Sequence, residues 1–492
     1  MNYKVAPIRL RADTALRSIG RTIAPRRVAR CQRRGRCMAM LLLLVAGCAD
    51  VPPNDRDRRE EVVFWHFWGG RDRPIVQRIV DQFNSSQARY RVRAIAMPGS
   101  NLDLKFFLSV AGKDPPDVLN HDDPVVSDWA HRGVLTPLAE LATEEELEQL
   151  SSWLFPAARS LGTYDGDLYA LCNGLDIRAL YCNTTLLAEY GLDPPTSIAD
   201  LDNIAETIAP AGLDSARKRM GYLPDPRRIW AWGIAFGGRF SDDSTVIAAN
   251  PRASVRGSQS HQAITADSPE IVAALTWMAG YSRRYGPSQV AAFRSGEQAL
   301  SGATFPLLAD RRFAVVMDGQ WRTRDILAAR AAAAEDGRPC DQFAVVPLPA
   351  PTGGNQEAGW VNGNFFVVPS QARCKPGAWE FMKFWTGFAG TEAQAAAACA
   401  AGGWIPASQC VVDEPAYQQA VTRQPLLGEF IRLAASPHQV PVPALPVSSF
   451  YYQQVVRAAQ EVMYRGAEPA AALKDAADAV RARLQEAVDD EL

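Results

Sequence analysis

From residue 61 onward the chain alternates short apolar runs with longer stretches whose apolar positions recur every three or four residues. Glu61-Val62-Val63-Phe64-Trp65 predicts a first strand, and Ile75, Val76, Ile79, Val80 and Phe83 then fall on one face of a helix. Residues 90–97 predict a second strand, 102–113 a helix, and Pro116-Asp117-Val118-Leu119 a third strand. Alternation at this spacing predicts an α/β fold with a parallel sheet covered by helices. Ligands of such sheets sit beyond the carboxyl ends of the strands. Residues 65–69 and 120–123 occupy those places.

The later pattern is similar. Tyr164-Asp165-Gly166-Asp167 is a hairpin signal. Residues 169–183 read as extended chain crossing between lobes, and 184–190 as a helix closed by Gly191. Leu192-Asp193-Pro194-Pro195 breaks the chain, and Ser197 or Asp200 caps the next helix. Residues 313–317, 343–346 and 365–368 predict strands, while 450–488 and the alanine-rich segments 328–334 and 395–401 predict helices.

The start of the chain differs in kind. Leu41-Leu42-Leu43-Leu44-Val45-Ala46-Gly47-Cys48 follows a basic region containing Arg33, Arg34 and Arg36. The apolar run falls well short of the roughly 20 residues that span a bilayer, so a cleaved leader is expected over residues 1–47. Cys48 is then the lipidated N-terminus, and 48–60 a solvated tether. The first 47 residues hold eleven Lys or Arg and one acid, so the remainder carries a formal net charge of −12. That argues against a nucleic-acid partner, which calls for a clustered basic face. The remainder is also too long for a single core, so two lobes are expected.

Six cysteines follow Cys48: Cys172, Cys182, Cys340, Cys374, Cys399 and Cys410. Outside the cytoplasm an even number permits disulfides, and pairing of nearest neighbours is expected, with small buried thiols as the alternative. The five histidines show no metal spacing and no C-x-x-C occurs, so neither a metal nor a cofactor is expected.

A series of short motifs then recurs in order: Pro116-Asp117-Val118, Gly133-Val134-Leu135-Thr136-Pro137-Leu138, Asp165-Gly166-Asp167-Leu168-Tyr169-Ala170-Leu171, Leu180-Tyr181-Cys182-Asn183, Pro194-Pro195-Thr196-Ser197, Met317-Asp318-Gly319-Gln320-Trp321, Pro347-Leu348-Pro349, Gly402-Gly403-Trp404-Ile405-Pro406 and Ser449-Phe450-Tyr451-Tyr452. Over residues 60–490 this series resembles the family 1 extracellular solute-binding proteins, the sugar-binding components of ABC importers related to maltose-binding protein. The family often has Pro and Tyr where this chain has Cys172 and Cys182. The resemblance implies a two-lobed periplasmic-binding-protein type II fold with a hinge and an interlobe ligand cleft. Lobe I takes 61–168 and 363–435, and lobe II takes 169–362 and 436–492. It also implies a monomer that binds a carbohydrate and docks on ABC permease subunits, with its body in the periplasm or outside the cell and Cys48 anchoring it to a membrane.

A sugar presents apolar C–H faces and a ring of hydroxyls, which call for flat aromatic rings and planar polar side chains. Of the twelve tryptophans, Trp129, Trp153, Trp277, Trp379 and Trp385 fall in helical patterns and read as core. Trp65, Trp68, Trp230, Trp232, Trp321, Trp360 and Trp404 lie beside glycines or at strand ends and are candidate contacts. Trp321 lies in Asp318-Gly319-Gln320-Trp321, which resembles a family segment whose Trp stacks on sugar, with Gln320 a candidate beside it, and Tyr451 matches an aromatic ligand position of the family. Asn362 shares a segment expected to cross between lobes, Gly359-Trp360-Val361-Asn362-Gly363-Asn364, whose glycines let backbone amides approach a ligand. His66, Asp122, Asp123 and Asn173 complete the set, with helix capping the alternative for the two acids and Asp176 a candidate that could instead pair with Arg178.

Two other functions remain open at this point. A polyol or glycerophosphodiester would suit the same scaffold, and Arg227-Arg228 and Arg322-Arg324 are compatible with a phosphate. An exported glycosidase needs two carboxylates flanking the bond, which 54 acids cannot exclude, but G-x-S-x-G, H-E-x-x-H and a phosphate-binding loop are absent from the sequence.

Overall fold

The first strand, β1 (Glu60–His66), turns Val62, Phe64 and His66 to one side and Val63 and Trp65 to the other. A computed structural model describes residues 59–97, 99–122, 124–209, 219–242, 264–301, 305, 307–308 and 311–489. Cys48, its leader, most of the tether, Asp123 and His261 lie outside the described residues.

After β1 comes the helix Arg73–Ser86, opened by Pro74 and burying the five apolar residues expected of it. It returns the chain to β2 (Tyr90–Ala96), and the helix Leu102–Ala111 leads to β3 (Val118–His121). Asn84 pins the outer strand by accepting from the Val92 amide at 2.7 Å and donating to its carbonyl at 2.9 Å. Asp117 accepts from the amides of Val63, Arg373 and Cys374 at 2.7 to 2.8 Å, tying β3 to its neighbours. A hairpin follows, β4 (Thr163–Tyr164) and β5 (Asp167–Leu168), with Asp165 and Gly166 both at positive φ as its tight turn requires.

The remaining strands are β6 (Ala170–Asp176), β7 (Arg178–Asn183), β8 (Val315–Gly319), β9 (Phe343–Val346), β10 (Gly359–Trp360), β11 (Asn362–Val367) and β12 (Gln439–Val440). They make two main sheets, ordered β2-β1-β3-β11-β6 and β8-β7-β9, and a short pair β10-β12. Each main sheet organises one lobe. Ser197 caps the helix Ile198–Ile208 in a reciprocal box with Asp200, and the helices Ser448–Arg465 and Pro469–Asp489 close the second lobe.

Three expectations change. The first sheet is mixed: β1 is parallel to β2 and β3, but β11 runs antiparallel to both β3 and β6. The strand β11 enters from the second lobe and so arrives in the opposite direction. The change of sheet falls between Asp176 and Arg178, because β6 still pairs with β11 while β7 pairs with β8 and β9. Finally, all six cysteines after Cys48 are free thiols. Cys172 and Cys182 lie on different sheets, and their sulfurs face the nearby carbonyls of Gly174 and Leu180. Cys374 bonds Glu60. Burial pushes the Cys172 and Cys399 thiols up to about 12, the behaviour of small core residues.

Candidate functional site

The chain crosses between lobes at Ile177, between β6 and β7, and again at Val361, between β10 and β11. Gln320, just after β8, holds the first crossing. Its Nε2 donates to the Leu175 carbonyl at 2.9 Å and to Asp176 Oδ1 at 3.1 Å, and its Oε1 accepts from the Ile177 amide at 3.0 Å. With these bonds made, Gln320 positions the crossing strand instead of presenting a free amide.

Arg178 emerges next to this clamp and is only 7% exposed. Its guanidinium carbon lies 4.2 Å from the centre of the Trp360 ring and 5.6 Å from that of Trp321. The Trp360 ring also stacks on Tyr452, with centroids 5.1 Å apart and planes inclined by 30°. Asn362 donates to the Asp122 carbonyl. Asn173 accepts from Asn120 at 3.1 Å. His121 accepts from the Asp122 amide on Nδ1, at 3.0 Å, which places its proton on Nε2 facing Asp103 at 2.6 Å. Between the lobes, Trp360, Asn362, Ser127 and Ser448 help line a cavity of about 20 Å³, room for roughly one water.

The other aromatic candidates go elsewhere. Trp68 stacks face to face on Trp385 at 5.2 Å and on Trp404 at 5.5 Å. Trp68 and Trp404 therefore pack in the core of the first lobe. His66 lies between Phe64 and Trp68, where burial and then the Arg73 charge lower its pKa to about 4. Trp65 packs on the opposite face of the sheet, against the cluster containing Phe106 and Trp129. Trp230 and Trp232 are wholly buried in the second lobe. Tyr451 is buried too and donates to the Phe240 carbonyl at 2.6 Å. The tyrosine facing the crossing is Tyr452. Helical phase carries this signal, because Tyr451, Val455, Ala458, Ala459 and Val462 form the buried stripe. The glycines of the second crossing are filled by protein: a Cβ on Gly363 would sit 2.7 Å from the Gly174 carbonyl.

Sequence reasoning also missed a contact between the lobes. In the helix Val126–His131, Asp128 accepts from the amide and hydroxyl of Ser449, and Ser127 donates to Ser448 at 2.8 Å. These serines open the helix Ser448–Arg465, whose N-terminus favours an anion. Burial nevertheless raises Asp128 to about 6, against the lowering effects of the serine bonds and Arg132. The raised value means that the joined form binds a proton more tightly than the separated one. The contribution of Asp128 to stability is therefore fully present below about pH 4 and is lost as pH rises through about 6. Asp128→Asn is expected to remove that slope, raising stability at pH 7 relative to the parent by on the order of 2 kcal/mol. Urea unfolding of both proteins at pH 4, 5, 6 and 7 measures it, and parallel profiles would rule out the effect.

The sequence profile described as bacterial extracellular solute-binding protein matches residues 78–425. The chain belongs to this family. No curated protein sequence matches it. Solved structures of solute-binding proteins align over most of its length. CpMnBP1 with mannotriose bound is 21% identical over 85% of this chain and 99% of its own, with a TM-score of 0.65. The GacH receptor of Streptomyces glaucescens GLA.O, solved unliganded and with acarbose, is 20% identical over 87% and 99%, also at 0.65. The maltose/maltodextrin-binding domain MalE from Bdellovibrio bacteriovorus, bound to maltotriose, is 15% identical over 86% and 99%, at 0.62. These likenesses establish the fold of this solute-binding protein: two lobes joined by crossing strands.

Proposed function

We propose that this solute-binding protein is the substrate-binding component of an ABC importer, taking a mono- or oligosaccharide between its lobes and passing it unaltered to a membrane permease. The observation that supports this most is the composition of the junction. Trp321, Trp360 and Tyr452 bring flat rings to the two crossings, with Arg178 and Asn362 as planar polar groups beside them. Rings of this kind suit the C–H faces of a sugar, and planar donors suit its hydroxyls. The proteins of similar fold include ones bound to mannotriose and maltotriose. A sugar would enter as the lobes part, by rotation about the crossings at Ile177 and Val361.

The protein acts by binding, without turnover, as a monomer. Export of the body and attachment through lipidated Cys48 would keep it beside the permease, a geometry that favours delivery over diffusion. Calorimetry with a panel of oligosaccharides is expected to show reversible, saturable binding, while product formation would favour an enzyme. Trp321→Ala is expected to weaken binding at least tenfold, equivalent to about 1.4 kcal/mol. Unchanged affinity in that variant would remove Trp321 from the site.

A further inference from the structure

The helix Arg322–Glu335 begins right after Trp321 and belongs to the second lobe, since it follows β8. Its first turn is held by the first lobe. Arg324 Nη1 donates to Asp72 Oδ1 at 2.8 Å, and Arg71 Nη1 donates to Asp325 Oδ1 at 3.0 Å. The Thr323 carbonyl accepts from Nε2 of Gln424, the residue after the helix Pro415–Arg423. The Arg324 stem crosses the turn at Gly403, where a Cβ would sit 2.9 Å from its Cγ. Any side chain at 403 would take the room that this stem uses.

Both members of the central pair forgo a local role. Asp72 stands at the N-cap of the helix Arg73–Ser86, where an aspartate ordinarily accepts from the helix's own amides, yet its side chain makes no such bond. Arg324 stands in the first turn of its helix, the end at which the macrodipole disfavours a cation. Arg322, in the same turn, is offset within its own lobe by Asp318 at 2.9 Å and Asp325 at 3.1 Å. Arg324 has Asp72 as its one ion-pair partner among the described residues. The stability of neither helix accounts for this pair, whereas contact between the lobes does. Each of the two side chains is 24% exposed, so dissolved ions screen the pair less than a surface one but still reach it. Arg71 is far more exposed, and its bridge to Asp325 contributes less.

We propose that Asp72 and Arg324, supported by Arg71, Asp325 and Gln424, form an ionic latch that holds the two lobes together and makes their parting depend on ionic strength. The contacts run directly from lobe to lobe, so no ligand is needed to complete them. Trp321 adjoins the latched turn, and a ligand that reaches it as the lobes part does so more often when the latch is weak. The latch concerns the motion of the lobes and stands whether or not the ligand is a saccharide.

Hydrogen exchange of the full chain at neutral pH tests it, because local opening is read directly in amide protection. The Ser449 amide, held by Asp128 of the other lobe, reports parting at a contact that shares no residue with the latch. Arg324→Gln is expected to speed its exchange about fivefold, the upper end of what a partly exposed ion pair provides, while the amides of β1 exchange as in the parent. Asp72→Asn is expected to do the same, and the double variant to go no further than either single one. Sodium chloride at about 1 M is expected to speed Ser449 exchange in the parent and to have little further effect on Arg324→Gln. Circular dichroism and thermal melts check that the variants fold, and the salt series on the parent needs no variant. Ser449 exchange unchanged in both single variants and by salt would overturn the latch, as would a salt effect undiminished in Arg324→Gln. Equal acceleration of the β1 amides would mean general loosening and would overturn it as well. Each of these outcomes leaves the importer role standing.

Discussion

Trp68→Ala is expected to cost this protein about 3–5 kcal/mol of stability. The indole is nearly parallel to Trp385, at 9°, and also stacks on Trp404. Truncation would remove a large buried surface from the middle of three contacting rings. The neighbours come from separate elements, Trp385 from the helix Lys375–Thr386 and Trp404 from the turn after Glu392–Gly402. The gap cannot close without moving both, which places the cost in the upper part of the usual range for core deletions. The Trp404 carbonyl also accepts from Tyr417 at 2.8 Å, so a shift there would disturb a buried hydrogen bond. Urea unfolding followed by circular dichroism reads the change. A loss below about 1 kcal/mol would mean that the stack is not packed as described. If Trp68 lined the cleft instead, the same variant would lose affinity and keep its stability.

The second large effect concerns Gln320. Gln320→Met keeps the side-chain length but removes the hydrogen bonds to Leu175, Asp176 and Ile177. An unsatisfied buried polar group costs about 1–3 kcal/mol, so a total of at least 3 kcal/mol is expected. Because the lost bonds sit on the crossing strand, ligand affinity is also expected to fall. Denaturant unfolding and calorimetry on the same preparation separate the two effects. Stability and affinity both equal to the parent would show that Gln320 does not hold the crossing. Loss of affinity alone would return it to the ligand.

Much of the fold was legible in order along the chain. The elements from β1 to β3, the hairpin at Asp165-Gly166, the Ser197 cap and the strands β8, β9 and β11 all have local causes: periodicity, turn chemistry or a side chain that caps its own helix. The mixed order of the first sheet was not legible. The antiparallel entry of β11 depends on where the chain comes from, and nothing within residues 362–367 records that. The free cysteines show the same limit, because spacing along the chain says little about which sheet each thiol joins.

The candidate site divides similarly. A tryptophan beside a glycine or at a strand end looks alike whether it faces a core or a cleft, and Trp68, Trp230, Trp232 and Trp404 pack in cores while Trp321 and Trp360 reach the junction. Arg178 was read only as a partner for Asp176, since charge pairing is visible at short spacing and the approach of its guanidinium to the Trp360 ring is not.

By itself the sequence determined the order of strands and helices, the expectation of two lobes and the chemical kinds of side chain available for a ligand, since these follow from local periodicity and composition. Tertiary structure alone decided which rings meet at the crossings, which amide is spent holding them and which ring the Arg178 guanidinium covers. Those outcomes come from packing between residues distant in the chain, and such packing leaves no local signature.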